Sequence, residues 1–261
     1  MPREPLWPKQ PAKEEHLLRM WTPFHLRIDG KYKFLPRGVV FKTMQSLLRT
    51  LVMTLFPPYF KLCRGLRVYG RENLKKLSGG AVSVCNHVHY LDCVLLACNC
   101  RRRMMYFASL KSNFEIPVIR HLIKLLGALP LPETSGGMAA FNRAVAKALE
   151  KGALLQIYPE GVLYPYYQDG LRAFHKGAFY YACQNGVPVL PYVITFRPRR
   201  GWRCFCGTKP LIDLHILEPV WPEASLSRKE AQLELCARVK KNMEACLYEA
   251  RKNIKDADIR V

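Results

Sequence analysis

Five short apolar runs, at residues 81–85, 104–109, 128–131, 154–158 and 187–196, alternate along this chain with stretches of helical periodicity at 91–100, 117–126, 138–151 and 174–185. The runs are rich in Val, Ile, Leu and aromatic residues, as strands covered on both faces are. Buried strands joined by helices specify an α/β domain with a mostly parallel central sheet flanked by helices. A last, charged helix is expected over 228–254. With 261 residues, 49% of them hydrophobic, the chain can bury one sizeable core, which excludes wholesale disorder.

Three segments follow from this reading: a Pro-rich N-terminal extension over 1–36, an amphipathic segment over 37–65, and the α/β domain over 66–261. The extension carries prolines, charges and two tryptophans and lacks the apolar core of a signal peptide. The expected helix in the second segment runs from Val39 to Phe56 and ends at Pro57-Pro58. Its apolar residues, Val40, Met44, Leu47, Leu51 and Leu55 among them, recur at helical spacing, with Lys42, Gln45 and Arg49 largely opposite. By spacing alone this is an ordinary core-facing helix, and charge argues for another use. The stretch from Gly30 to Arg71 holds nine basic residues and no acidic one, which suits an anionic lipid leaflet. The segment is therefore expected to be a monotopic membrane anchor on the cytoplasmic face. The whole chain has 41 Lys and Arg against 20 Asp and Glu, a net charge of +21, and so expects an anionic partner.

Ten cysteines lie mostly inside apolar runs, where a thiol packs as a small hydrophobe, and a reducing compartment is the simpler reading. The pairs Cys98/Cys100 and Cys204/Cys206 have spacing too short for a typical zinc site.

The chemistry is expected at strand ends. Run 81–85 passes directly into Asn86-His87-Val88-His89-Tyr90-Leu91-Asp92, and α/β proteins place their sites where strands end. Histidine can take and return a proton near neutrality, and a carboxylate on its other ring nitrogen orients it. His87 and Asp92 are thus candidates for a general-base pair. Two other readings stay open on spacing: that both residues cap the following helix, or that His87, His89 and Asp92 begin a zinc-hydrolase signature. For the latter the aspartate comes one place late and no histidine follows it.

A second cluster follows run 154–158: Pro159-Glu160-Gly161, then Phe174-His175-Lys176-Gly177-Ala178-Phe179, then Val187-Pro188-Val189-Leu190-Pro191. Together with Asn86-His87-xxxx-Asp92, this order resembles the glycerolipid acyltransferase family, which is typified by 1-acylglycerol-3-phosphate acyltransferase. The family's blocks are NHxxxxD, a Gly-containing block ending near an Arg, FPEGTR with an FKKGA-like stretch, and a VPVxP-like block. The similarity runs from about Val68 to Phe196.

The resemblance implies an O-acyltransferase in which His87 activates the acceptor hydroxyl and Asp92 orients it. Glu160 and Gly161 would shape the acceptor pocket, and Lys111 matches a family lysine facing the acceptor's phosphate. The donor would be an acyl-CoA or acyl-carrier-protein thioester, so no cofactor and no metal are expected; neither GxGxxG nor GxxxxGK[ST] occurs. The acceptor would be a lysolipid like lysophosphatidic acid. Two departures bear on it: Leu163 stands where EGTR has arginine, and Glu133 stands at the arginine of the second block. Neither can clamp a phosphate as a guanidinium does, which leaves Arg172 or Lys176 as substitutes, or a different lysophospholipid, amino-acid lipid or sugar lipid as acceptor.

Other features have plainer readings. Arg101-Arg102-Arg103 reads as a solvated turn that could help hold a phosphate-rich donor, and Tyr164 to Tyr167 as the mouth of the cleft. Arg197-Pro198-Arg199-Arg200-Gly201-Trp202-Arg203 mixes basic and aromatic residues as nucleic-acid arms do, yet an interfacial membrane loop needs the same composition. No nucleic acid partner is expected. A non-enzymatic basic binding protein is the competing class, and it would be indifferent to His87.

Overall fold

The computed structural model describes residues 25–199 and 207–259, with side chains to residue 253. Its strands are β1 (Arg67–Tyr69), β2 (Ala81–Cys85), β3 (Met105–Ser109), β4 (Ala128–Pro130), β5 (Leu154–Ile157), β6 (Val189–Arg197) and β7 (Leu211–Ile216). They form one sheet in the order β1-β7-β6-β2-β5-β3-β4. All pairings are parallel except β6 with β7. The α/β architecture read from the sequence is therefore present. The two strands the sequence reading passed over, β1 and β7, extend the sheet on one side.

Six α-helices accompany it: α1 (Val39–Leu62), α2 (Asp92–Asn99), α3 (Ile119–Leu125), α4 (Ser135–Glu150), α5 (Gly177–Asn185) and α6 (Arg228–Ile259). Strand residues alternate between two covered faces. Val82, Val84, Val189 and Val193 pack with α4, α5 and α6, while Ala81, Cys85, Leu190, Tyr192 and Ile194 pack with α1 and α2. Burial on both sides explains why these strands read as continuous apolar runs. The core of β2 has one polar contact, Ser83 Oγ to Gln156 Oε1 at 2.7 Å on neighbouring β5, so neither group is buried unpaired.

Residues 25–36 pack against the start of α4. Ile28 and Phe34 are buried, and Phe34 meets Phe141 edge-on at 5.3 Å. Thr134 caps α4 by accepting from Gly137 N at 3.0 Å and donates its hydroxyl to Ile28 O. A Cβ at Gly137 would stand 2.4 Å from that same carbonyl, so the close approach requires glycine. The first 24 residues of the extension lie outside the described residues.

Helix α1 corrects one expectation. It runs through Pro57 and Pro58 to Leu62 instead of stopping before them. A proline inside a helix costs about 3 kcal/mol, through a lost hydrogen bond and a ring clash. The turn beyond the prolines recovers this in packing. Phe60 is fully buried, it contacts Phe56 and Tyr59, and Leu66 N returns to Phe60 O at 2.9 Å. Elsewhere α1 is open. Val39, Val40, Met44, Leu47, Leu51 and Leu55 are all at least half exposed. By length and composition alone the helix could cross a membrane.

Candidate active site

Parallel strands bring their C-terminal ends to one edge, and β2, β5 and β3 deliver His87, Glu160 and Lys111 there in turn. The loop after β2 is fixed before any chemistry begins. Cys85 is the last β2 residue paired with β6, opposite Tyr192, so the backbone of Ile194 points to where a strand has ended. Asn86 fills that place. Its Nδ2 donates to Ile194 O at 2.9 Å, and its Oδ1 accepts from Ile194 N at 2.8 Å. Gln168 repeats the device one step further, donating to Phe196 O and accepting from Phe196 N at 2.7 Å. Both amides are buried. Two side chains thus continue the ladder that β2 leaves.

The next residue is His87, whose Nδ1 lies 2.5 Å from Asp92 Oδ2. Asp92 is 1% exposed and heads α2. Its other oxygen accepts from Cys93 N at 2.7 Å and from the Tyr158 hydroxyl at 2.9 Å. Asp92 therefore holds His87 through one oxygen and Tyr158 and Cys93 N through the other; it is the first residue of α2 and not its cap, which is Leu91 without a side-chain bond, so the capping reading is corrected. With Nδ1 committed to Asp92, Nε2 is the nitrogen left for a reacting proton.

His89 goes elsewhere. It is buried, its Nδ1 accepts from Leu91 N at 3.1 Å, and burial first, then the charge of Arg64, lowers its pKa to about 4. No cluster of three metal-ligating side chains exists among the described residues. Cys204 and Cys206 lie outside them.

Glu160 is buried at 4% exposure, and its Oε1 has no hydrogen-bond partner. Burial raises its pKa to about 7, partly offset by the backbone and charge of Arg172 and His87. Gly161 follows in the left-handed region at φ 74°, and a Cβ there would press the His175 ring at 3.2 Å. Arg172 places its guanidinium over the Tyr164 ring, 4.1 Å from the centroid. Tyr164 is itself buried, with its N–H on His87 O at 2.8 Å, so it underpins the loop bearing His87 and does not form a cleft mouth. Lys176 sits at the exposed start of α5, where its carbonyl accepts from Gln232 of α6.

Lys111 has partners that its sequence position did not announce. Its Nζ is 2.6 Å from Glu133 Oε2 and 3.9 Å from Glu115 Oε1. The carboxylate at the arginine position of the second block therefore meets the block's neighbouring lysine. Arg103 lies at the start of β3, the edge opposite His87, and donates to the carbonyls of Leu77, Gly79 and Gly152. That corrects its expected use in donor binding. Arg197 is held by Asp213 at 2.8 Å, and residues 200–203 of the basic loop lie outside the described residues.

The sequence reading missed Tyr158. Its ring stacks on His87 with centroids 4.0 Å apart and planes 15° off parallel. The available signal was Tyr in place of Phe before Pro159-Glu160.

Comparisons with known proteins bear on the family and the fold. A family model described as Acyltransferase matches residues 65–195, half of the chain. The chain is 31% identical over 140 residues to a chloroplast 1-acyl-sn-glycerol-3-phosphate acyltransferase of Arabidopsis thaliana, spanning 52% of this chain and 36% of that protein. It is 27% identical over 164 residues to a lyso-ornithine lipid O-acyltransferase of Pseudomonas aeruginosa, spanning 56% of this chain and 61% of that one. The chain thus spans less than two thirds of either relative. The crystal structure of the 1-acyl-sn-glycerophosphate (LPA) acyltransferase PlsC from Thermotoga maritima shares the fold, with TM-score 0.58, 22% identity and coverage of 84% and 85%.

Proposed function

The chain belongs to the acyltransferase family, and from that premise we propose that it moves a fatty acyl group from a thioester to the hydroxyl of a lysolipid in phospholipid synthesis. The observation that carries this is the His87 Nδ1–Asp92 Oδ2 contact of 2.5 Å at a strand end, with Asp92 buried. In the proposed reaction His87 Nε2 takes the acceptor hydroxyl's proton as its oxygen attacks the thioester carbonyl carbon. The tetrahedral intermediate then collapses, the C–S bond breaks, and the imidazolium returns the proton to the departing thiolate. An ester and a free thiol result. Asp92 stabilises the imidazolium in between and is never itself acylated. The donor is a thioester of coenzyme A or of acyl carrier protein, both anionic, as the +21 chain favours.

For the acceptor, Lys111, Glu160, Gly161 and Arg172 are the proposed contacts, with Lys176 next to them in sequence order. The Lys111–Glu133 pair supports a second reading. A lysine already neutralised by a carboxylate is a poor seat for a phosphate monoester, and a lysolipid without one, such as the amino-acid lipid class named for the Pseudomonas relative, fits it better. Membrane association rests on the open apolar face of α1, lying monotopically on the cytoplasmic leaflet.

The test is acyl transfer in detergent micelles from a labelled acyl thioester to a panel of lysolipids with and without a free phosphate. His87→Ala is expected to lose roughly 10²–10⁴-fold of turnover with lipid binding intact. Transfer to lysophosphatidic acid supports the first acceptor, and transfer restricted to other lysolipids supports the second. Absence of any His87-dependent transfer leaves the binding-protein class.

A further inference from the structure

Tyr158 follows β5 directly, 66 residues from the aspartate it touches. Two parts of its side chain act on the same pair. The ring lies against the His87 imidazole, and the hydroxyl donates to Asp92 Oδ1 at 2.9 Å. With that proton committed, the Cys93 thiol, 3.2 Å from the phenol oxygen, is the donor of the remaining contact. A chain of donors therefore converges on Asp92: thiol to phenol, phenol to carboxylate, and Cys93 N–H to the same oxygen.

We propose that Tyr158 is a positioning residue: its hydroxyl compensates part of the Asp92 charge, so that Asp92 accepts from His87 Nδ1 without locking the imidazole in its doubly protonated form, and Nε2 stays open. It rests on the reading of this site as an acyltransferase pair. The physical problem it answers is a carboxylate almost fully removed from water beside a short imidazole contact. A buried charge of this kind costs free energy unless hydrogen bonds compensate it. Each donated hydrogen bond makes the ionised form easier to keep. Burial pushes both the Tyr158 phenol and the Cys93 thiol well above their ordinary values, with the charge of Asp92 adding to each, so both stay protonated donors at neutral pH. The family block in this place, FPEG, supplies the ring alone; the hydroxyl is what this chain adds.

The ionisable groups around the pair come from every neighbouring element: Cys85 at the end of β2, His89 in the loop, Cys93 on α2, and Glu160 with Arg172 after β5. Of these only Cys93 touches the phenol, and in Tyr158→Phe its protonated thiol loses an acceptor without any change of charge, so a change in the behaviour of His87 reports on the phenol.

The experiment follows the His87 imidazole of the full chain by ¹⁵N NMR, its signal assigned by loss in His87→Ala, beside steady-state transfer. In Tyr158→Phe the less compensated carboxylate holds the imidazole proton harder. The His87 midpoint is expected to rise by about half to one pH unit. The acidic limb of the pH–rate profile moves with it, and kcat falls roughly three- to tenfold with the acceptor KM unchanged within about twofold. In an Asp92→Asn background the same change is expected to add nothing. Placing 3-fluorotyrosine at 158 strengthens the donor and moves the midpoint down, which keeps the test usable should the Phe variant fail to fold. An unmoved midpoint in Tyr158→Phe, or an equal effect in the Asp92→Asn background, overturns the proposal. Lack of transfer by the unmodified protein removes the proposed function, and the NMR midpoints then decide the role of Tyr158 alone.

Discussion

Glu160 carries a stability cost that its position at the site explains. In the unfolded chain it ionises near 4.5, and in the fold at about 7, because burial disfavours the charge. Between those values the folded protein holds the extra proton, so stability falls as pH rises across the window, by on the order of 3 kcal/mol in all. Glu160→Gln removes the slope. Melting temperatures of the variant and the parent are expected to separate by several degrees between pH 5 and pH 7.5, the variant higher; parallel curves would refute this. At this scale the sequence was legible where partners are near neighbours. His87 and Asp92 are five residues apart and meet. Tyr158 and Asp92, or Lys111 and Glu133, are brought together only by strand order, which residue types do not encode.

Among elements, β6 depends on two side chains where its neighbour β2 ends. Removing either amide strands one buried N–H and one buried C=O, a penalty of about 1–3 kcal/mol for each group left unpaired. Gln168→Ala is therefore expected to lower stability by roughly 2–4 kcal/mol in denaturant unfolding, far above the effect of an exposed Gln→Ala change. A loss below about 0.5 kcal/mol would show that water replaces the amide without cost. Asn86→Ala carries the same penalty and also frees the loop bearing His87. The five strands legible in the sequence are those whose residues form continuous apolar runs. Strand β1 is a three-residue edge piece with Arg67 exposed, and β7, though largely buried, sets Asp213 and His215 among its apolar residues, so neither gives a long apolar run. The path of α1 through two prolines was illegible for a related reason: Phe60 beyond them is buried in a cluster whose other members, such as Leu95, Leu96 and Leu190, are distant in sequence.

For the whole molecule, the proposed membrane partner would draw on charge and apolar surface together. Burying a leucine of α1 in lipid contributes about 1–2 kcal/mol, so replacing Leu47, Leu51 and Leu55 with serine is expected to weaken binding to anionic vesicles at least about a hundredfold. Because all three are exposed, the melting temperature should hold. Vesicle sedimentation also separates the two forces: added salt should weaken binding of the parent, and neutral vesicles should retain only the part the leucines supply. Salt-independent binding would remove the anionic-surface reading.

The joint between α1 and the sheet has a further consequence. Cys63 to Leu66 are all that separate the helix from β1, and they are tied on both sides, Arg64 N to Tyr59 O and Ile212 N to Arg64 O. Under the proposed function, a helix resting on a leaflet through such a joint would give the site a fixed working height. His87 would then sample one plane above the acyl chains, and an acceptor hydroxyl carried higher or lower on its backbone would pass out of reach. Regiochemistry then becomes a matter of depth, set by how far a lysolipid rises from the bilayer.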